Sequence, residues 1–97
     1  MHEFPRLSPV QAEALELLRS REMYGLEMVR ESKRLKRGTI YVTLERMADR
    51  GLVSSRQVFE ETQSGLPRRL YAITGLGRVA LAAHEAASAE FAKGAWA

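Results

Sequence analysis

Apolar positions along the chain recur first with a helical period, then with a period of two, then helically again. Val10, Ala14, Leu17 and Leu18 fall at i, i+4, i+7 and i+8, one face of a helix running to about Ser20. Ser8-Pro9-Val10-Gln11 supplies its start: the Ser8 hydroxyl can accept from a first-turn N–H, Pro9 suits the first helical position, and Gln11 can reach back to close a capping box. Tyr24-Gly25 opens a shorter segment in which Leu26, Met28 and Val29 are apolar while Glu27, Arg30 and Glu31 are not, a second helix that ends in a basic turn. In the third segment Ile40, Leu44 and Met47 form one stripe, Tyr41 and Ala48 widen it, and Gly51 stands where a left-handed C-terminal cap belongs. Thr39, Thr43, Glu45, Arg46 and Arg50 are assigned to its outer face.

Strand signals begin after Gly51. Leu52-Val53 and Val58-Phe59 flank a polar middle, Thr62-Gln63-Ser64-Gly65 is a turn cluster, and residues 68–73 alternate. In that alternation Leu70 and Ala72 face one way and Arg69, Tyr71 and Ile73 the other, which predicts a hairpin with a protruding tip. Thr74 then caps a last helix over Gly75 to about Lys93. Gly75 and Gly77 in its first turns cost about 1 kcal/mol each relative to alanine, so a loose start is expected. Leu76, Ala80, Ala83, Ala87 and Phe91 run down one side of this alanine-rich helix, a narrow seam that adds little to a monomer core but lets another helix approach closely. At 1.5 Å per residue the helix is about 30 Å long. Three helices, a two-stranded hairpin and a long final helix make a mostly α chain with the winged helix-turn-helix order, the hairpin being the wing.

Charge gives this outline a direction. The formal charge is +3, but residues Arg30 to Arg37 hold five of the fifteen basic residues, and with Glu31 they carry +4, so the rest of the chain is near neutral. A dense positive turn feeding the start of an amphipathic helix suits a DNA groove, because cations neutralise phosphates while the helix start offers N–H groups and short polar side chains. Lys36 and Arg37 are candidate phosphate contacts, Gly38 opens the helix start, and Thr39 and Thr43 lie four apart where base edges would be reached. Arg46 lies further along and can instead pair with Glu45 or Asp49, while the Tyr41 ring fits the core. Arg68 and Arg69 flank the wing on opposite faces, so one of them points at solvent or DNA. Gly25, Gly38 and Gly51 serve backbone geometry.

Other classes find little support. The chain has no cysteine, so disulfides and thiolate metal sites are excluded and a reducing compartment is permitted. His2 and His84 stand apart, Asp49 is the only aspartate, and no cluster has metal-ligand spacing, an activated nucleophile or a glycine-rich phosphate loop. Neither an enzyme nor a cofactor is expected. No apolar run approaches the ~18 residues of a membrane span and the first residues lack a secretory stretch, so a cytoplasmic protein without membrane contact is the expectation.

Several pieces, in order, resemble the PadR-like family of transcriptional regulators. They are Tyr24-Gly25, Gly38-Thr39-Ile40-Tyr41 with Leu44 and Met47, Gly51-Leu52-Val53, Gly65-Leu66-Pro67-Arg68-Arg69-Leu70-Tyr71, and Thr74 with Gly77. Leu66 stands where the family often has a basic residue and Val42 where it often has proline. The resemblance implies a homodimeric repressor that binds an inverted-repeat operator, with residues 1–73 as the DNA-binding domain and 74–97 as the dimerisation helix. It also adds a phosphate contact for the Tyr41 hydroxyl, and it opens a second reading of Trp96. That residue is either a frayed end or a plug against the neighbouring subunit or, as in drug-sensing relatives, the aromatic wall of a small-molecule effector pocket at the dimer interface. The alternative from another class is a winged-helix module whose basic turn meets an acidic protein partner.

Overall fold

A computed structural model describes residues 6–59 and 68–93. In chain order it contains α1 (Pro9–Leu18), β1 (Met23–Tyr24), α2 (Gly25–Glu31), α3 (Ile40–Asp49), β2 (Val53–Val58), β3 (Arg68–Ile73) and α4 (Gly75–Ala92). This is the winged helix-turn-helix outline, with α2 and α3 as the helix-turn-helix and the antiparallel β2–β3 pair as the wing. The sheet has a third strand, because Met23 and Tyr24 pair with Tyr71 and Leu70 to give the order β1-β3-β2. Two residues are too few for a period of two to show, so β1 was invisible as a pattern. The turn cluster Thr62 to Gly65, Leu66, Pro67, His2 and Trp96 lie outside the described residues.

The helix ends follow local chemistry. The Gln11 N–H donates to Ser8 Oγ at 3.1 Å and the Ser8 N–H to Gln11 Oε1 at 3.2 Å, the expected capping box. Gly51 takes φ +77°, and the Leu52 and Gly51 N–H groups donate to the carbonyls of Met47 and Ala48, each at 2.9 Å. That six-to-one and five-to-two pair is a Schellman cap, and it turns the chain from α3 directly into the wing. Leu15, Leu18, Met28, Ile40, Leu44, Met47 and Leu52 are buried among α1, α2 and α3. Burying each such side chain contributes about 1.5–3 kcal/mol. Leu15 falls off the single stripe expected for α1 because that helix packs against α3 on one side and α4 on another.

The start of α4 corrects the sequence expectation. Thr74 accepts from the Gly77 N–H at 3.0 Å, its hydroxyl donates to the Gly51 carbonyl at 2.6 Å, and its N–H donates to the Leu52 carbonyl at 3.1 Å. Gly77 is buried so tightly that a Cβ there would stand 2.2 Å from the Leu52 carbonyl oxygen. The end expected to be loose is therefore pinned to the turn that leaves α3, and glycine permits the approach. Ala80 and Leu81 are also buried, against α1, so the first half of α4 belongs to the protomer's core. Ala80 is thus taken out of the outward seam, which leaves Leu76, Ala83, Ala87 and Phe91 exposed. After His84 the helix is exposed on all sides.

Candidate nucleic-acid interface

The basic turn between α2 and α3 is held at two points. Ser32 ends α2 and is buried; its hydroxyl donates to Glu13 Oε2 on α1 at 2.6 Å and accepts from the Arg34 N–H at 3.2 Å. Leu35, three residues on, is driven into the core although charged residues surround it. Between and after these anchors Lys33, Arg34, Lys36, Arg37, Gly38 and Thr39 remain exposed. The Lys36 carbonyl accepts from the N–H groups of Thr39 and Ile40 at 3.1 and 2.9 Å, so the cation-bearing backbone itself starts α3. Among the described residues no ion pair engages Lys36, Arg37 or Arg46. The pairing of Arg46 with Glu45 or Asp49 that the sequence allowed does not form.

Helix α3 turns Ile40, Leu44 and Met47 inward, as expected. Its outer face differs from the expectation in three positions. Thr43 is half-buried, to one side of the outward direction. Arg50 is tied back to α1, donating to Gln11 Oε1 at 3.1 Å and to the Arg6 carbonyl at 2.8 Å, so it does not belong to a free face. Val42, absent from the expected set, is exposed, and so are Thr39, Glu45 and Arg46. The signal was available: at about 100° per residue, position 42 lies nearly opposite the mean direction of 40, 44 and 47. The Thr39 side chain makes no capping hydrogen bond, so its hydroxyl is not used to start the helix.

Beside the N-terminal turn of α3 lies a cleft of about 410 Å³ between α2, α3 and the wing, at the Gln57–Arg69 end of its strand pair. Tyr41, Tyr24, Gln57, Arg68, Arg69 and Tyr71 line it, and among the described residues no carboxylate does. Arg68 and Arg69 project from opposite faces of β3, as alternation predicts, yet both reach the cleft. They can because β1 stops at Tyr24, opposite Leu70, and leaves the next stretch of β3 uncovered on that side. The Arg68 guanidinium stacks over the Tyr24 ring at 3.8 Å from its centroid, and Arg69 donates to Ser55 Oγ at 3.0 Å. Gly25 lets the Tyr41 ring close on α2, since a Cβ there would stand 2.9 Å from the ring carbon Cε1. Burial pushes the Tyr71 hydroxyl pKa up, against the opposing effect of the nearby Arg69. Beneath the cleft the Tyr24 N–H donates to Glu27 Oε1 at 2.9 Å, and that bond holds the Glu27 carboxyl below its ordinary range, with Arg21 adding to the effect. Tyr24 and Gln57 were not foreseen here, because only the β1 pairing and the β2–β3 register bring them together.

Among the described residues no group of three His, Asp or Glu side chains is placed to hold a metal ion, and no helix is long and apolar enough to cross a membrane. The cationic turn and the cleft both adjoin the exposed start of α3 in a winged helix-turn-helix. A sequence model of the transcriptional regulator PadR-like family matches residues 14–83. A PadR family transcription regulator from hypervirulent Clostridium difficile R20291 is 26% identical with a TM-score of 0.77, over 89% of this chain and 93% of that one. A PadR-like transcription factor from bacteroid fragilis is also 26% identical with a TM-score of 0.77, over 86% of this chain and 82% of that one. Bacillus subtilis PadR, solved in complex with operator DNA, is 25% identical with a TM-score of 0.69 over 76% of this chain, which spans 45% of that one. None of the curated proteins matches. The family is one of DNA-binding regulators rather than enzymes, and this chain belongs to it: it is a PadR-like transcriptional regulator.

Proposed function

We propose that the protein is a homodimeric repressor that reads an inverted-repeat operator, with α3 of each protomer in a major groove. The observation that carries this reading is the anchored basic turn. Ser32 and Leu35 fix its backbone, while Lys36, Arg37 and Thr39 stay exposed at the start of α3 and Arg46 stays exposed in its last turn. An anchored loop of unpaired cations contributes phosphate contacts without the cost of ordering its backbone, and the helix start beside it then meets base edges. The adjoining cleft suits a backbone phosphate, because Arg69, Gln57 and the Tyr41 hydroxyl supply donors and, among the described residues, no carboxylate lines it. Bacillus subtilis PadR binds operator DNA with the same fold, which supports carrying the role to this chain.

In this reading residues 1–73 bind DNA and residues 74–97 dimerise. The exposed side of α4 supports that division, since Leu76 in its first turn and Ala83, Ala87 and Phe91 further on lie exposed on a helix that continues past the domain body. Pairing through α4 sets two α3 helices about 34–36 Å apart, one turn of duplex, or a small multiple. The protein then works in the cytoplasm, with its DNA. Selection of a random duplex library on the purified protein tests the reading. The expected result is an enriched inverted repeat with half-sites about one helical turn apart. Weak binding without enrichment, falling steeply with salt, would reject sequence-specific repression and leave the acidic protein partner for the basic turn.

A further inference from the structure

Val42 lies outside the hydrophobic core and carries no charge. It is 52% exposed in the first turn of α3, on the side away from the buried Ile40, Leu44 and Met47. Residues 39, 42 and 46 fall within about 60° of arc on that side, so Val42 shares its direction with Thr39 and Arg46. A β-branched residue is a poor choice for an exposed helical position, and Val42 is not among the residues packed against the hydrophobic core. Its χ1 is, however, nearly fixed in a helix, so its two methyl groups are held in one place before any partner arrives. The polar neighbours can make hydrogen bonds with base edges; Val42 cannot. The apolar feature that a major groove offers is the C5-methyl group of thymine.

We propose that Val42 is a specificity-determining residue that packs against the methyl group of one thymine in each half-site. The proposal rests on the reading that α3 enters the major groove, and it adds a base identity that the polar residues do not supply. Thr39 and Arg46 would read hydrogen-bonding edges on either side, while Val42 distinguishes thymine from cytosine by its methyl group.

The test uses the tightest duplex recovered from a random library and the whole protein. Each thymine is replaced in turn by deoxyuridine, which removes one methyl group and keeps every hydrogen-bonding edge. One position per half-site should weaken binding by about fourfold, the worth of one buried methyl group, and by about 15-fold when both are replaced. The Val42→Ala protein should bind the parent duplex more weakly and be indifferent to the same replacements. Val42 is exposed, so this variant keeps its fold. Lys36→Ala should bind more weakly yet remain sensitive to deoxyuridine. If no replacement matters, or if sensitivity persists in Val42→Ala, the thymine contact is wrong while the groove assignment stands. If Lys36→Ala, Arg37→Ala and Val42→Ala all bind the duplex like the parent protein, the groove assignment falls and the proposal with it.

Discussion

Replacing Gly77 by alanine separates two views of how α4 joins the domain. From propensity alone the change should stabilise the helix by about 1 kcal/mol. The structure gives the opposite sign. An added Cβ would stand 2.2 Å from the Leu52 carbonyl oxygen and 2.8 Å from Ile73 Cγ1. The carbonyl cannot retreat, because it accepts from the Thr74 N–H at 3.1 Å and directly follows the Schellman cap at Gly51. The helix must move instead, which loosens Ala80 and Leu81 against α1. Overpacking of this kind costs about 1–3 kcal/mol, and a backbone obstacle places it at the upper end, so the net loss is about 2 kcal/mol. In a domain of this size that lowers Tm by about 8–16 °C. Gly75→Ala is the matched control: nothing lies within 4 Å of its Cβ, and it should be neutral or slightly stabilising. Thermal unfolding followed by circular dichroism reads both, at one fixed protein concentration because the proposed dimerisation would couple Tm to concentration. A Gly77→Ala protein as stable as the parent would refute the packing described for α4.

Other perturbations follow from the same geometry. Lys36→Ala and Arg37→Ala should weaken binding to all duplexes alike and each reduce the slope of log affinity against log salt by about 1, measured by fluorescence anisotropy across salt concentrations. Ser32→Ala removes the bond to Glu13 that anchors the basic turn; it should cost about 1 kcal/mol in urea unfolding and lower DNA affinity, with Ser32→Thr restoring part of both. Glu27→Gln should destabilise at neutral pH by weakening the bond from the Tyr24 N–H. Because the folded carboxyl titrates below its ordinary range, its contribution is full above that range and is lost as pH falls through the folded value. The gap between parent and variant in urea midpoint should therefore close below about pH 4.

Elements with a long or chemically punctuated pattern were legible in the sequence. The Ser8 box, the Ile40-Leu44-Met47 stripe, the Gly51 cap and the wing strands all rest on local rules, and the structure places them accordingly. What was missed depends on partners distant in sequence. Strand β1 exists only because β3 pairs with it. Gly77 looked like a helix breaker because its obstacle, Leu52, is twenty-five residues earlier. Ala80 looked like surface because alanine is equally at home in a helix seam and under α1. Within the candidate interface the basic turn was plain from composition. Its anchoring by Ser32 and Leu35, and the gathering of Tyr24, Gln57, Arg68 and Arg69 at one cleft, required the fold.

The central claim is that α3 reads the bases. It is tested most directly by repeating the library selection with Thr39→Ala, Arg46→Ala protein, two exposed residues that leave the core untouched. The account predicts that the enriched repeat keeps its spacing but loses its preference at symmetry-related positions, one set in each half-site, at about 1–3 kcal/mol per position. An enriched repeat identical to that of the parent protein would contradict it and assign the reading of sequence to another part of the molecule.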